Sequence, residues 1–466
     1  MNQDRHSFSN SIGFVLAAAG SAVGLGNIWR FPYLAAKDGG GLFLVIYLIL
    51  ALTFGFTLLT TEIAIGRKTR QSPLTAYGTL RKGWRKLGIL ACIVPMMIMP
   101  YYCVIGGWVL RYAVEFIIHG WTNAATDGFF TSFITDSTSP LIYGIIFLLV
   151  TCFIIYRGVN KGIEAFSRIL MPILIVLVVG IAVFSLTLRH DDGTGVRTGL
   201  QGLKIFAIPR ISGMKISDLL IVTMDAMGQL FYSLSIAMGI MIAYGSYVKD
   251  EDNLMRSINQ IEIFDTAVAV LAGVMVIPAV YVFMGEEGMS ASGPGLMFIS
   301  IPKVFMSMGG IGRILGILFF LMVLFAALTS SISILEAIVS SFMDEFGFTR
   351  KRATIVEFFI ALVFVVLVCL GYSKLYFEVN LPNGAVAQIL DIMDYISNNV
   401  LMPVVSISTC VLVGWITGPE MIIDEVTKGG ARFGRRSLYI VMIRYVAPVL
   451  LLILFLQSFG VFSFLK

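Results

Sequence analysis

Residues 20–32 read "GSAVGLGNIWRFP". The stretch lies in an apolar run from about 11 to 36, long enough to cross a membrane, since a span needs roughly 20 such residues. Yet it carries Gly20, Gly24, Gly26, Asn27 and Arg30 where lipid favours Leu and Ile. Gly20 and Gly24 make a small-xxx-small pair of the kind that lets helices approach closely, but this leaves Asn27 and the adjoining "GLG" without a use. The other reading is an interruption. Unwound carbonyls coordinate a cation, and freed N–H groups hold a carboxylate. Glycines permit such a break without requiring it.

The surrounding chain sets the class. Of 466 residues, 58% are hydrophobic and 13% charged, with a mean hydropathy of +0.90. A soluble domain of this size could not bury so much apolar surface. Eleven apolar runs follow one another, at roughly 11–36, 42–66, 88–118, 141–157, 166–187, 218–247, 258–284, 311–346, 353–372, 387–417 and 437–464. Basic residues crowd the loops after run two (Arg67, Lys68, Arg70, Arg81, Lys82, Arg85, Lys86), run eight (Arg350, Lys351, Arg352) and run ten (Lys428, Arg432, Arg435, Arg436). The positive-inside rule makes that side cytoplasmic, so the N-terminus is expected inside and Lys466 outside, in the cell's inner (plasma) membrane.

The start, "MNQDRHSFSNS", lacks the basic n-region and cleavage site of a signal peptide. The five cysteines (Cys92, Cys103, Cys152, Cys369, Cys410) lie in apolar runs without zinc or disulfide spacing and read as packing residues. The net charge of +5 sits in short loops, where it orients the chain and does not suggest nucleic acid. The segment 285–310, containing "EEGMSASGPGLMFISIP", is too polar to span and is expected to fold back as an outer lid. The chain reads as one domain, 1–466, and no pattern in it specifies an oligomeric state.

Run six is the second odd one. "MGQLFYSLSIAMGIMIAYGSY" places Gln229, Ser233, Ser235 and Gly239 near its middle. Runs one and six each open a group of five, and interrupted segments at matching places in two halves point to an inverted-repeat transporter with a midplane site. Asp265, in "IEIFDTAVAVLAG", is an intramembrane acid and so a functional candidate, or else a neutral acid bonded to a neighbouring helix. "AALTSSIS" supplies Thr329, Ser330, Ser331 and Ser333. Such hydroxyls bond back to their own helix carbonyls, or serve as the hard oxygens that suit sodium. Glu62 in "TTEIAIGR" either caps freed N–H groups of a broken neighbour or approaches the cytoplasmic interface.

"AVGLGNIWRFPYLAAKDGGGLF" followed by "EIAIGR" resembles the signature of the neurotransmitter:sodium symporter family, itself a type case of the inverted-repeat arrangement. "YYCVIGGWVLRY", "GQLFYSLSIAMG", "YGSYV" and "LTSSIS" match in order, over essentially the whole chain. Eleven runs rather than twelve resemble the bacterial branch that carries tyrosine and hydrophobic amino acids. The resemblance implies an all-α polytopic membrane protein of eleven transmembrane helices. Two inverted five-helix repeats (about 11–187 and 218–417), with helices one and six broken, are followed by one extra C-terminal helix (about 437–464).

The resemblance also implies site residues. One sodium would meet the Ala22 carbonyl and the side chains of Asn27, Ser233 and Asp265, completed by the substrate carboxylate. A second would meet the carbonyls of Gly20, Val23 and Ala326 and the hydroxyls of Thr329 and Ser330. The substrate carboxylate would lie against the amides of Leu25 and Gly26 and the Tyr102 hydroxyl, with Gly24 leaving it room. The amine would lie near Ser21, Tyr232, Ser233 and Ser235, with Ala22 also among the substrate-binding residues, and the side chain among Ile98, Tyr102, Tyr232, Met238, Ser330, Ser333 and Ile334. Arg30 with Asp394, near Gln229, resembles an outer gate pair, with Tyr102 and Tyr232 as a lid over the substrate. Arg5 with Asp344, beside Ser246 and Tyr247, resembles an inner one.

Departures from the family pattern refine this expectation. Members that carry monoamines have an Asp where this chain has Gly24, which favours amino acids. Asp265 stands where many relatives have Asn, and Ala269, one turn on, replaces the acid or Ser of others. Asp265 is therefore expected to supply the negative charge itself and make chloride unnecessary. Met238 replaces a bulkier Phe, and a flexible Met repacks around larger groups. Phe8 replaces a Trp near the inner gate, and Glu336 is placed to compete with Asp344 for Arg5. The expected function is sodium-coupled import of hydrophobic L-amino acids, with sodium ions, the amino acid and the lipid bilayer as partners. The alternative is a broken-helix transporter driven by protons or exchange. A channel would need a repeated re-entrant filter, and "AVGLG" occurs once. An enzyme would need a midmembrane Ser–His pair or metal cluster, and His6, His119 and His190 lie near span ends or in loops.

Overall fold

The computed structural model describes residues 7–191, 193, 195–211, 213–289 and 292–462. The molecule is 79% helix. Among the described residues, nine helices are long and apolar enough to cross a membrane: Gly41–Thr69, Arg85–Ile118, Ser139–Tyr156, Val159–Thr187, Leu254–Gly288, Gly310–Phe346, Arg350–Leu370, Ile389–Ile416 and Arg436–Ser458. A tenth span is formed by Ser11–Ala22 with Gly26–Lys37, bent by 52° across the intervening residues. The eleventh expected span, 218–247, is instead two helices, Ile216–Ser233 and Ile240–Gly245. It fails as a continuous apolar span because the chain leaves helical geometry in between and because Asp218, Asp225 and Gln229 dilute the first part.

Both interruptions have local causes. The first helix starts on Asn10, whose side chain accepts the Gly13 amide at 2.9 Å, a standard N-cap. It ends where the Gly24 amide turns back to the Ala22 carbonyl at 3.0 Å. Winding resumes as a wide π-turn over Gly26–Arg30. In the second broken helix Ser235, Ala237 and Gly239 have φ of 54°, 63° and 72°. Glycine takes such angles freely. The serine and the alanine each cost roughly 1–2 kcal/mol there, so surrounding contacts must hold them.

Helix Gly310–Phe346 packs along Arg85–Ile118, which in turn packs on Ser139–Tyr156, while Val159–Thr187 lies against Leu254–Gly288. Small residues set the closest approach: a Cβ added to Gly107 would stand 2.6 Å from the Gly144 amide nitrogen. All five cysteines are free and buried, as packing residues are. Among the described residues, two short antiparallel strand pairs, Arg189–Asp191 with Val196–Thr198 and Val379–Asn380 with Val386–Ala387, decorate the loops. The segment that the sequence marks as a lid winds from Gly293 to Ser307 and packs against helices Gly310–Phe346 and Leu254–Gly288. Its Phe298 stacks on Phe130 at 5.0 Å, and the Phe298 carbonyl accepts the Tyr112 hydroxyl at 2.8 Å.

Candidate substrate and ion site

The two breaks face one another across a cavity lined by Ser21, Ala22, Gly24, Leu25, Gly26, Asn27, Ile98, Tyr102, Tyr232, Ser233, Ser235, Met238, Ser330 and Ile334. The sequence reading assigned thirteen of these fourteen residues to the substrate and Asn27 to an ion. Ser333 is the exception. Its hydroxyl is turned from the cavity, accepting from the Tyr244 hydroxyl at 2.7 Å and donating to the Thr329 carbonyl at 2.9 Å. The reason is its height on helix Gly310–Phe346: Ser333 lies one turn beyond Thr329 and Ser330 on the same face, where Tyr244 of the second broken helix engages it.

The cavity has a polar end and an apolar end. Ile98, Met238 and Ile334 make the apolar one. At the polar end the Ser21 carbonyl accepts from Ser330 Oγ at 3.1 Å and Ser235 Oγ at 3.2 Å. The Tyr102 hydroxyl is buried without a hydrogen-bond partner and stands 3.6 Å from where a Cβ on Gly24 would lie. A buried, unpaired phenol beside the freed amides of a helix break is a donor awaiting an anionic or carbonyl oxygen. The Tyr232 ring rests on Gly26, 3.0 Å from a Cβ built there.

Beside this cavity lies a cluster of hard oxygens. Asp265 Oδ1 accepts from Ser233 Oγ at 2.5 Å and from Asn27 Nδ2 at 2.9 Å, and Ser233 Oγ lies 3.0 Å from Asn27 Oδ1. All three residues are buried. Tyr47, which sequence reasoning passed over, adds its hydroxyl to Asp265 Oδ2 at 3.4 Å. The one signal for it was a lone phenol in the apolar run "GLFLVIYLIL". A carboxylate with amide and hydroxyl oxygens suits a small hard cation.

The second group joins helix Gly310–Phe346 to the first break. Thr329 Oγ1 donates to the carbonyls of Phe325 and Ala326 at 3.0 and 3.1 Å, and Ser330 Oγ reaches the Gly20 carbonyl at 3.5 Å. A Cβ on Gly20 would stand 3.2 Å from Thr329 Cβ, so the glycine lets the two backbones meet. Ser331 faces away and bonds Thr151 at 2.9 Å.

Charged groups flank both ends. Arg30 and Asp394 do not form an ion pair. Asp394 Oδ1 instead accepts from Asn398 Nδ2 at 2.6 Å, and the Arg30 guanidinium lies against Gly228, 3.6 Å from a Cβ placed there. Opposite signs in the sequence specify the partners but not their separation. Gln229 bonds the Gly26 carbonyl at 3.2 Å. At the other end Arg5 lies outside the described residues. Asp344 accepts the Ser72 amide at 2.6 Å. Ser246 donates to the Ala243 carbonyl at 2.6 Å. Glu336 is engaged by Arg350 at 2.5 Å and by the Tyr247 hydroxyl at 2.5 Å. Phe8, in place of the family's Trp, is buried and packs edge-on to Tyr244 and Tyr247. Glu62 takes the capping alternative: its Oε1 accepts the Ala237 amide at 2.7 Å, inside the second break. A second cavity, between Ile181, Ser185, Val276, Phe305 and Phe319, is almost wholly apolar and lies apart from the breaks.

Comparison with known proteins agrees with this geometry. The model of the sodium:neurotransmitter symporter family matches residues 5–139 and 131–466. The chain belongs to the sodium:neurotransmitter symporter family. A Bacillus subtilis relative named uncharacterized sodium-dependent transporter YhdH is 32% identical over 98% of both chains. The rat sodium- and chloride-dependent taurine transporter is 27% identical over 91% of this chain and 73% of its own. The crystal structure of MhsT in complex with L-phenylalanine superposes with a TM-score of 0.84 at 34% identity, covering 98% of this chain and all of the other. As a sodium:neurotransmitter symporter the protein is a multi-pass membrane transporter that depends on sodium, and not an enzyme.

Proposed function

We propose that this symporter imports hydrophobic L-amino acids, aliphatic or aromatic, coupled to sodium and without chloride. The observation that carries the reading is the joint wall between cavity and ion cluster. Ser233 and Asn27 line the cavity and also bond Asp265. A substrate carboxylate at Leu25, Gly26 and Tyr102 lies beside a cation held by Ala22, Asn27, Ser233 and Asp265, and supplies that ion a ligand. Each ligand then tightens the other by the same factor. A second sodium fits Gly20, Val23, Ala326, Thr329 and Ser330. Met238, Ile98 and Ile334 receive the apolar side chain, and the L-phenylalanine bound to MhsT supports a pocket of that kind. Asp265 supplies the negative charge for which chloride-dependent relatives need an anion.

The architecture that serves this cycle is a single 1–466 domain of eleven spans, counting 216–245 as one broken span. It comprises five-span repeats at about 11–187 and 218–417, an extra helix near 437–464, and an outer lid at 285–310. Basic loops put the N-terminus in the cytoplasm and the C-terminus outside. Arg30 with Asp394 closes the outer side, and Arg5 with Asp344 the inner, alternately around a fixed site. The membrane potential adds about 2.3 kcal/mol per charge per 100 mV to the drive.

The test is binding and uptake of an amino-acid panel by purified protein in sodium chloride, sodium gluconate and choline chloride. Leu, Phe, Tyr or Trp is expected to dominate, in both sodium buffers and not in choline. Glycine or alanine outcompeting them overturns the substrate class, and equal uptake in choline overturns the coupling.

A further inference from the structure

The outer gate reading leaves the acid of the pair engaged elsewhere. Asp394 Oδ1 accepts from Asn398 Nδ2 at 2.6 Å, and the same amide nitrogen lies 3.3 Å from the Tyr101 hydroxyl. Tyr101 is buried in helix Arg85–Ile118 and precedes Tyr102, which lines the cavity. Asn398 belongs to the widened π-turn Tyr395–Leu401. Such turns interrupt regular winding and recur at functional sites. Its side-chain oxygen is also held, accepting Ser397 Oγ at 3.4 Å. Amide, phenol and carboxylate thus form one chain that fixes Asp394 to its own helix and to the neighbour bearing Tyr102.

We propose that Asn398 is the positioning residue of the outer gate: its amide holds the Asp394 carboxylate towards Tyr101, so that Arg30 closes the gate only by displacing it. The proposal rests on the reading of Arg30 and Asp394 as that gate. A charged guanidinium binds a carboxylate more strongly than a neutral amide does, so the amide delays closure and hastens reopening without preventing either. Removing it takes one competing donor from Asp394 and leaves the Tyr101 hydroxyl and Arg30. It also loosens Tyr101, but the same loosening occurs whether or not Arg30 is present, which separates gating from simple damage.

The experiment follows release of radiolabelled L-phenylalanine from purified full-length protein in sodium, for wild type, Asn398→Ala, Arg30→Ala and the double variant. Asn398→Ala is expected to slow release about three- to tenfold, the scale of one lost competing hydrogen bond. Arg30→Ala should speed release, and the double variant should match Arg30→Ala. Unchanged or faster release from Asn398→Ala, while Arg30→Ala still speeds it, overturns the positioning role alone. So does equal slowing in the Arg30→Ala background. Release indifferent to Arg30→Ala overturns the gate reading and this proposal with it, as does wild-type protein that retains no phenylalanine.

Discussion

Glu62 Oε1 accepts the Ala237 amide at 2.7 Å, tying helix Gly41–Thr69 to the turn that breaks the second interrupted helix. Ala237 sits at φ 63°, outside helical geometry, and Glu62 receives its amide. Glu62→Ala leaves that buried donor unpaired, at a cost of about 1–3 kcal/mol. Thermal unfolding in detergent should fall accordingly and transport should be lost. Glu62→Gln, which keeps an acceptor, should recover most of both. Equal losses in the two variants would show that the carboxylate acts by its charge instead.

Asp265 gathers Asn27, Ser233 and Tyr47 around one carboxyl. Asp265→Asn removes the charge and keeps the shape. Its sodium affinity should drop at least about tenfold, since hydrogen bonds and contacts to charged groups count for about 1.5–3 kcal/mol. Combining it with Ala269→Ser, one turn along, should make uptake sensitive to chloride. Wild-type uptake should be the same in gluconate as in chloride, and a collapse in gluconate would sink the assignment.

Gly24 has no room to spare. A Cβ there would stand 2.9 Å from Ser330 Oγ and 3.6 Å from the Tyr102 hydroxyl. Gly24→Ala should therefore weaken amino-acid binding by about tenfold or more, as loss of one well-placed contact does, while leaving the melting temperature nearly unchanged. Isothermal titration in sodium measures the first, and a thermal scan the second. Unimpaired binding would place the substrate carboxylate elsewhere.

Asp38 offers a pH test outside the spans. Burial, together with the Asp225 carboxylate, pushes its carboxyl up to about 7 from the ordinary 3.8, although Lys37 beside it pulls the other way. Lys37 bridges the two acids, 2.7 Å from Asp225 and 3.5 Å from Asp38. The folded protein holds this proton more tightly than the unfolded chain. The stability it lends is therefore full below about pH 4 and is lost as pH rises through 7. Asp38→Asn should stabilise the protein at pH 8, by of order 1 kcal/mol, and scarcely at pH 4. A variant with the wild-type pH slope would refute the shift.

Much of this was legible in the chain. Apolar runs place helices to within a few residues, because a span needs length and composition more than any particular contact. The glycines of the first break and the polar string of the second mark where winding stops. Less legible was anything that depends on rotation or distance. In "TSSIS" each residue turns by about 100°, so Ser331 faces away from the first break that Thr329 and Ser330 meet, while Ser333 returns to their face one turn along, against Tyr244. Arg30 and Asp394 were identifiable by charge, yet Asn398 holds the acid, and nothing in "MDYISNNV" announces that its second asparagine reaches Tyr101. Tyr47 escaped notice because a phenol in an apolar run more often packs than coordinates.

The left-handed residues of the second break carry one more implication. Ser235 and Ala237 occupy backbone angles that a side chain resists, and a straight helix would relieve both at once. The broken form is thus a loaded spring whose catch is the Glu62 bond. Replacing Ala237 by glycine should unload it at the loss of one buried methyl group, giving a protein that dwells longer in the interrupted form and is easier to trap for structural work.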